Sequence, residues 1–388
     1  MNLKRYNENI DGLKPSASLV IMDKARSMQA AGQDIISLAG GEPDCVTPEK
    51  ICDALKASID RGNTHYVAGK GILPLREKIA EKLTRENKIE CTPEDILVTP
   101  GGKYGIYLGM TALLNPGEEV LIMDPSWVSY APIASACGAV PVAIGLSYED
   151  NYKITKEALY SHYTDKTKML VINTPNNPTG RMLSREEADT IAAFIKDTDI
   201  YVVADEVYEK VCYDGNEHIS IASYPEVADK SVTMNGFSKC VAMTGWRLGY
   251  ITAAPDLMKR IYKLSQHTTT CVSGFIQEAA LAAFDCEEEM EQMRLSYDRR
   301  RALFVNALNT IPGVTCRMPE GAFYAWTKID KDNMSSMELA DFLLDKAGVA
   351  CIPGDAYGLG GENCVRFSFS ASDQDLVEAA ERIRKALS

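Results

Sequence analysis

The sequence has few histidines and no paired cysteine motif. Its 388 residues include only four histidines, and none of them forms an H-x-H or H-E-x-x-H pair. The eleven cysteines are odd in number, are irregularly spaced and contain no C-x-x-C pair. We therefore expect no structural zinc or other metal site, and reduced, mostly buried thiols rather than disulfides.

Basic residues and long apolar runs are also scarce. The chain has 41 Lys and Arg against 54 Asp and Glu, a net charge of −13. This balance argues against nucleic acid and against anionic membranes as partners. The apolar stretch from Ala131 to Leu146 is interrupted by Pro132 and Pro141 and is too short to span a bilayer. No apolar stretch follows the charged N-terminus, so we expect neither a signal peptide nor an anchor, and a cytoplasmic location.

What the chain does contain is a repeated alternation of apolar runs with helical patterns. At 46% hydrophobic and 24% charged residues, its composition is that of a globular protein. Continuous rather than alternating hydrophobicity is typical of strands that are covered on both faces. The pattern predicts an α/β fold with a largely parallel sheet. The predicted strands are Ile96 to Thr99, Val120 to Asp124, Met169 to Thr174, Ile200 to Asp205, Ser231 to Asn235 and Leu248 to Ala253.

Helix signals lie between the strands and dominate the C-terminal part. A capping box at Ser184 to Glu187 and a Pro at Pro48 each predict a helix start. After about Pro255 the strand pattern stops, which predicts a second, smaller domain. It would contain a long helix from Cys286 to Leu308, the stretch Val314 to Thr327, a helix from Ser336 to Ala347, the stretch Cys364 to Ser370 and a final helix from Asp373 to Leu387.

Ligands of open α/β sheets bind beyond the carboxyl ends of the strands, and polar or aromatic residues follow five of the predicted strands. Pyridoxal phosphate needs a lysine, a carboxylate for its pyridine nitrogen, an arginine and backbone amides for its phosphate, and an aromatic face. All of these follow the strands in order, and we interpret them as one site. They are Gly101-Gly102-Lys103-Tyr104, Asp124-Pro125-Ser126-Trp127, Asn173 to Gly180, Asp205 to Tyr208, and Ser238-Lys239 with Arg247.

Three motifs identify a resemblance to a known family. The stretch NGFSKCVAMTGWRLGY from Asn235 to Tyr250, the loop NTPNNPTG from Asn173 to Gly180, and ADEVY ending at Tyr208 resemble class I aminotransferases of the aspartate aminotransferase family. The resemblance implies a pyridoxal-phosphate-dependent transferase of fold type I, with a mostly parallel seven-stranded sheet between helices and a smaller α+β domain. We accordingly expect an N-terminal arm with part of the small domain in residues 1–46, a large cofactor-binding domain in 47–285 and a small domain in 286–388.

The resemblance also implies roles for individual residues. The catalytic residues would be Lys239, which binds the cofactor covalently and then moves a proton, Asp205, which keeps the pyridine nitrogen protonated, and Tyr208. Asn177 and Tyr208 would bind the cofactor's 3′ oxygen, and Trp127 would stack on its ring. Phosphate ligands would be Arg247, Ser238 and the amides of Gly102, Lys103 and Tyr104, with Tyr66 reaching the phosphate of the neighbouring subunit. The last role implies a homodimer with shared active sites. Arg366 in VRFSF would bind the substrate α-carboxylate in a bidentate fork, and Gly41 in AGGEPD would approach the same group.

Substrate specificity is carried by fewer residues. Two motifs of this chain, Lys14-Pro15-Ser16-Ala17 and Gly101-Gly102-Lys103, resemble those of bacterial subgroup members that act on aspartate. Lys14 and Lys103 are therefore candidates for binding the substrate, and Lys103 would bind the second carboxylate of the substrate. Tyr104 stands where that subgroup carries Gln, and Cys45 where an aromatic residue follows G-E-P-D. The predicted reaction is a ping-pong transfer of the amino group from aspartate to 2-oxoglutarate, with aromatic amino acids, alanine or prephenate as alternatives.

Two other functions use the same residues differently. A carbon–sulfur β-lyase would need the same lysine and aspartate, but the KPSA and GGK features favour transamination. An effector-binding module of a transcription regulator would need an added DNA-binding domain, which we do not expect because the family resemblance begins at about Lys14.

Overall fold

The computed structural model describes residues 7–13 and 15–388, except for the side chain of Ala17. The helices of this part of the chain are α1 Glu8–Asp11, α2 Ala17–Ala30, α3 Glu49–Asp60, α4 Leu73–Lys82, α5 Gly102–Leu113, α6 Tyr130–Ala136, α7 Lys156–His162, α8 Arg185–Thr198, α9 Pro225–Ala228, α10 Pro255–Thr268, α11 Gly274–Leu281, α12 Glu287–Leu308, α13 Ser336–Phe342 and α14 Asp373–Leu387. The strands are β1 Ile36–Ser37, β2 Ile96–Thr99, β3 Glu119–Asp124, β4 Val140–Gly145, β5 Thr167–Asn173, β6 Tyr201–Asp205, β7 Ser231–Gly236, β8 Gly249–Ala253, β9 Val314–Cys316, β10 Tyr324–Ile329, β11 Val349–Ala350, β12 Ile352–Pro353 and β13 Cys364–Ser368.

A seven-stranded sheet forms the centre of the molecule, with the strand order β2-β8-β7-β6-β5-β3-β4. All neighbours in it pair in parallel except β8, which runs antiparallel to both β2 and β7. Strands β2, β7 and β8 are buried at every residue, as expected for continuous apolar runs covered on both faces. The predicted fold class, a mostly parallel seven-stranded sheet between helices, is confirmed.

The strand that the sequence pattern did not predict is β4, which lies at the edge of this sheet beside β3. Only one of its residues is fully buried, and it contains Pro141. Its residues from Val140 to Ile144 are all apolar, but a proline inside an apolar run argues against a central strand. An edge strand tolerates proline because one side of its backbone needs no ladder partner.

Helix starts agree with the capping signals in the sequence. The Ser184 side chain accepts a hydrogen bond from the Glu187 backbone, and the Glu187 carboxylate accepts one from the Ser184 backbone, so the predicted capping box begins α8. Pro48 is the N-cap of α3 rather than its first residue. The predicted helix from Ser336 to Ala347 ends as a π-helix over Leu343–Ala347.

A second, antiparallel sheet of order β12-β13-β10-β9 forms the C-terminal part. Helices α12 and α14 pack on it, and its core includes Phe304, Phe323, Phe367 and Ile383. Strand β1 pairs in parallel with β11, so a segment near the N-terminus joins this C-terminal part. The domain limits at residues 46 and 285 stay a prediction.

The structure also shows the state of the cysteines and the character of the helices. All eleven cysteines are free; four are buried, six are partly buried and Cys45 is exposed. The prediction that most of them are buried is therefore wrong, because several lie on helix faces and turns at the edge of the core. Within the described residues, no helix combines the length and apolar character needed to cross a membrane.

Candidate active site

A cleft of about 330 Å³ opens where the carboxyl ends of the central strands meet the four-stranded sheet. Strands β2, β3, β5, β6 and β7 end at its floor, so each contributes the residues that follow it. The sequence-predicted residues that line the cleft are Gly41, Gly102, Lys103, Trp127, Asn177, Asp205, Tyr208, Ser238, Lys239, Arg247 and Arg366. Residues separated by more than 300 positions in the chain thus share one cavity.

Lys239 follows β7 and extends into the centre of the cleft. Its Nζ donates a hydrogen bond to the backbone oxygen of Gly41 at 2.5 Å. Burial lowers the pKa of Lys239 to about 8, with Glu42 opposing the shift and Arg366 adding to it. A partly buried amine with a lowered pKa is a stronger candidate nucleophile and base near neutral pH than an ordinary surface lysine.

Asp205 ends β6 and is buried, with 4% of its surface exposed. Its carboxylate accepts hydrogen bonds from the Tyr130 hydroxyl at 2.7 Å and from the Val207 amide at 3.2 Å. Burial raises the pKa of Asp205 to about 6, against the effect of Tyr130. These donors are neutral, so a cationic group in the cleft would stabilise the carboxylate further.

Arg366 lies on β13 and is 4% exposed. Nη1 donates to the Asn177 side-chain oxygen at 3.0 Å, and Nη2 donates to the backbone oxygen of Ala39 at 2.7 Å. Its Nε is buried and lacks a hydrogen-bond partner among the described residues. A buried guanidinium facing a cleft with a donor still unused is suited to a carboxylate ligand.

The N-terminus of α5 forms a second concave surface. Gly101, the N-cap of this helix, has φ 84°, and a Cβ on it would lie 2.5 Å from Nη2 of Arg247. The guanidinium therefore packs directly against the glycine backbone, next to free helix amides. Helix N-termini and arginine together bind phosphate, and the Ser238 hydroxyl lines the same space.

Trp127 and Lys103 form one wall of the cleft. The Lys103 ammonium lies 4.8 Å from the Trp127 ring centre, and Tyr130 packs edge-on against that ring with centroids 5.2 Å apart. Burial and the nearby Arg247 lower the pKa of Lys103. The wall offers both an aromatic face and a positive charge.

Two tyrosines in the cleft were not predicted from the sequence. Tyr130 donates to Asp205, and the Tyr324 hydroxyl lies 2.6 Å from that of Tyr208. Tyr130 comes three residues after Trp127, and Tyr324 begins β10, so no motif at a predicted strand end marks them. The signal available in the sequence was only the proximity of Tyr130 to a predicted site residue.

Two of the predicted residues that the structure describes do not line the cleft. The Tyr104 side chain packs on Tyr107 with ring centroids 5.7 Å apart, so only its backbone amide lies in the first turn of α5. Tyr66 is 88% exposed on the surface of the chain. Lys14 lies outside the described residues.

A buried polar cluster supports the turn that follows Asp205. The carboxylates of Glu206 and Glu209 and the His218 ring have oxygen or nitrogen atoms within 4.8 Å of one another. The Lys82 ammonium binds Glu209, and the Asn87 amide donates to both carboxylates. Burial opposes the charge, but Lys82 lowers the pKa of Glu209 to about 2. The acidic side chains thus already have a protein cation, and the cluster ties this turn to α4.

The cleft can now be compared with those of known proteins. The family of aminotransferases of class I and II matches residues 33–383. The chain belongs to this family. This aminotransferase is 40% identical over 375 residues to the aspartate aminotransferase of Musicola paradisiaca, which covers 96% of this chain and 94% of the relative. It is 38% identical over 385 residues to aromatic-amino-acid aminotransferase 2 of Thermococcus litoralis, with 98% of each chain covered.

A solved structure gives the same result. The aspartate aminotransferase from Thermus thermophilus with maleate is similar with a TM-score of 0.93 and 34% identity, covering 99% of this chain and 100% of that one. The predicted family, fold type and transaminase activity are confirmed. The enzyme depends on pyridoxal phosphate and acts on amino acids and 2-oxo acids.

The residues present fit this cofactor. Asp205 is a buried carboxylate with neutral donors only, suited to a protonated pyridine nitrogen. The first turn of α5 and Arg247, whose guanidinium a Cβ on Gly101 would displace, suit the phosphate dianion. Lys239 supplies the partly buried amine near both of them. When bound, pyridoxal phosphate accepts the amino group of the substrate and withdraws electrons from its α-carbon.

Proposed function

We propose that this aminotransferase acts on dicarboxylic amino acids, with aspartate as donor and 2-oxoglutarate as acceptor. The observation that carries the proposal is a pair of cations lining one cleft, Arg366 on β13 and Lys103 on α5. Arg366 would bind the α-carboxylate, and Lys103 would bind the second carboxylate. The names of the Musicola and Thermus relatives, and the dicarboxylate maleate named with the latter, support the same assignment.

The positions of the remaining residues in the cleft support a role for each of them. We propose that Asp205 holds the proton on the pyridine nitrogen and that Asn177 and Tyr208 bind the cofactor's 3′ oxygen. Lys239 would bind the cofactor covalently and, once displaced, move the substrate's α-proton as general base and acid. Its lowered pKa increases the fraction of free amine available for this step near neutral pH.

Replacing Lys103 with methionine tests the substrate assignment. The change keeps most of the length of the side chain but removes its charge, so kcat/KM for aspartate should fall by about 10-fold or more, whereas kcat/KM for alanine and tyrosine should change little. A panel of amino donors with 2-oxoglutarate in excess measures these ratios. Lys156→Met is a matched control, because Lys156 also lies over an aromatic ring, 5.2 Å from the centre of Tyr160. An unchanged ratio of aspartate to tyrosine would show that Lys103 does not select a dicarboxylate.

We also propose that the enzyme is a homodimer with shared active sites. Tyr66 is 88% exposed and lies outside the cleft of its own chain, which supports a position in the cleft of a second copy. Val46, a few residues from the start of α3, is equally exposed at 88%. Contiguous exposed apolar patches mark protein–protein surfaces, and we place Tyr66 and Val46 in such a patch at the proposed dimer interface.

Hybrid dimers test the shared site. The hybrid dimer pairs one Lys239→Ala subunit with one Tyr66→Phe subunit. If Tyr66 reaches the active site of the other subunit, one complete site forms, because the Lys239→Ala subunit supplies its intact Tyr66 to the site that contains the intact Lys239. Co-expression with two affinity tags isolates the hybrid, whose kcat/KM should rise to about half that of wild type per dimer. A hybrid no more active than half a Tyr66→Phe homodimer would place Tyr66 in its own subunit's site.

A further inference from the structure

The hydroxyl groups of Tyr208 and Tyr324 form a direct contact between the two sheets. Their oxygen atoms are 2.6 Å apart, and the side chains are 4% and 1% exposed. Tyr208 follows β6 of the central sheet, whereas Tyr324 begins β10 of the C-terminal sheet. Both line the cleft, and their rings meet edge-on with centroids 5.7 Å apart.

Each of the two hydroxyl groups has one proton, which limits the hydrogen bonds that the pair can donate. Burial raises the pKa of both tyrosines, so each keeps its single phenolic proton. One hydroxyl must donate to the other, and only the acceptor then has a proton left for a third group. If Tyr208 donates to Tyr324, its proton turns away from the ligands of the cleft. If Tyr324 donates, the Tyr208 proton is free to bind an anionic oxygen there.

The ring of Tyr324 has a separate contact. The centre of the ring lies 4.3 Å from the guanidinium carbon of Arg366. The same guanidinium also donates a hydrogen bond to the Asn177 side chain. This contact depends on the aromatic face and not on the hydroxyl. A phenylalanine at position 324 would therefore keep the support of Arg366 and lose only the contact with Tyr208.

We propose that Tyr324 is a positioning residue whose hydroxyl donates to Tyr208 and so directs the Tyr208 proton to the 3′ oxygen of the cofactor. The inference rests on the proposed place of Tyr208 beside that oxygen. In a chain of two hydrogen bonds, the first polarises the second, so Tyr208 is a stronger donor than an isolated phenol. Tyr324 thus stabilises the ionised form of the cofactor oxygen without touching it.

The absorption spectrum of the holoenzyme, titrated with pH in the absence of substrate, tests this role. Loss of a donor chain disfavours the ionised form, so Tyr324→Phe should shift the pH midpoint of the spectrum upward by about 0.5 pH unit. Since the ring under Arg366 remains, KM for the amino acid should stay within about 2-fold of wild type. An unchanged midpoint would overturn the proposal.

Two further variants separate positioning from a general structural effect. Tyr357→Phe is the matched control, because the Tyr357 ring lies 5.4 Å from the same guanidinium and its buried hydroxyl has no partner among the described residues. Its midpoint should equal that of wild type. In a Tyr208→Phe background, adding Tyr324→Phe should give no further shift, since the path through Tyr208 is already lost.

An equal shift in Tyr357→Phe, or a full additional shift in the Tyr208→Phe background, would each contradict the inference. The titration uses no substrate, so its outcome is independent of whether aspartate is the donor. If Tyr208→Phe leaves the pH transition of the wild-type spectrum unchanged, Tyr208 does not lie beside the 3′ oxygen of the cofactor. The inference about Tyr324 then fails as well.

Discussion

Replacing Lys239 with alanine is expected to abolish turnover with every amino donor, a loss of about 10⁴-fold or more. The variant loses both the proposed covalent attachment of the cofactor and the amine that donates to the Gly41 backbone oxygen at the centre of the cleft. The cofactor should still bind noncovalently, because Arg247, Ser238 and Asp205 all remain. Borohydride reduction followed by peptide mapping should find the pyridoxyl group on Lys239 in wild type and on no peptide in the variant.

Lys50→Ala is the control for this experiment. Lys50 also donates to a backbone oxygen, that of Asp285 at 2.6 Å, but it is exposed and lies outside the cleft. It should retain wild-type turnover and cofactor attachment. Turnover above about 1% of wild type in Lys239→Ala, or a reduced adduct on another lysine, would contradict the assignment of Lys239.

Replacing Asp205 with asparagine is expected to lower kcat/KM by about 10²–10³-fold while the cofactor stays attached to Lys239. The amide keeps the size of the side chain but cannot hold a proton on the pyridine nitrogen. The effect is large because Asp205 is buried, where a missing charge is not replaced by water. Steady-state rates and the borohydride assay, measured on the same preparation, separate loss of rate from loss of cofactor.

Asp197→Asn gives a matched comparison. Asp197 also accepts a hydrogen bond from a tyrosine, the Tyr160 hydroxyl at 2.5 Å, but it lies on the surface and not in the cleft. The same change there should leave kcat/KM within about 2-fold of wild type. Near-wild-type activity in Asp205→Asn would mean that the carboxylate is not needed at the ring nitrogen.

These two residues also show how far sequence reasoning extends. Each follows a continuous apolar run whose end is visible in the sequence, and the carboxyl ends of parallel strands share one edge of the sheet. The prediction that Lys239 and Asp205 lie in one site therefore needed no coordinates. The same argument located Asn177 and Trp127, and the specific motif around Lys239 located Arg247.

Other parts of the site have no such signal. Tyr130 lies within a helix and Tyr324 at the start of a strand, so neither stands at a predicted strand end, although both bind predicted site residues. Strand β4 was missed although its run is apolar, because the proline in it argues against a central strand and is tolerated at the edge of the sheet. The position of these residues in the fold depends on the segments that pack around them, and the residue type alone does not predict it.

The sequence by itself determined the alternation of strands and helices, the mostly parallel sheet, the family and most of the predicted residues that line the cleft, because local patterning and strand-end motifs are properties of short segments. Only the tertiary structure decided how much each group is buried, that the hydroxyl groups of Tyr208 and Tyr324 meet, and that Arg366 on the C-terminal sheet donates to Asn177 in the loop after β5. Burial and contacts between distant segments come from packing the whole chain, and they set the pKa of Lys239 and of Asp205.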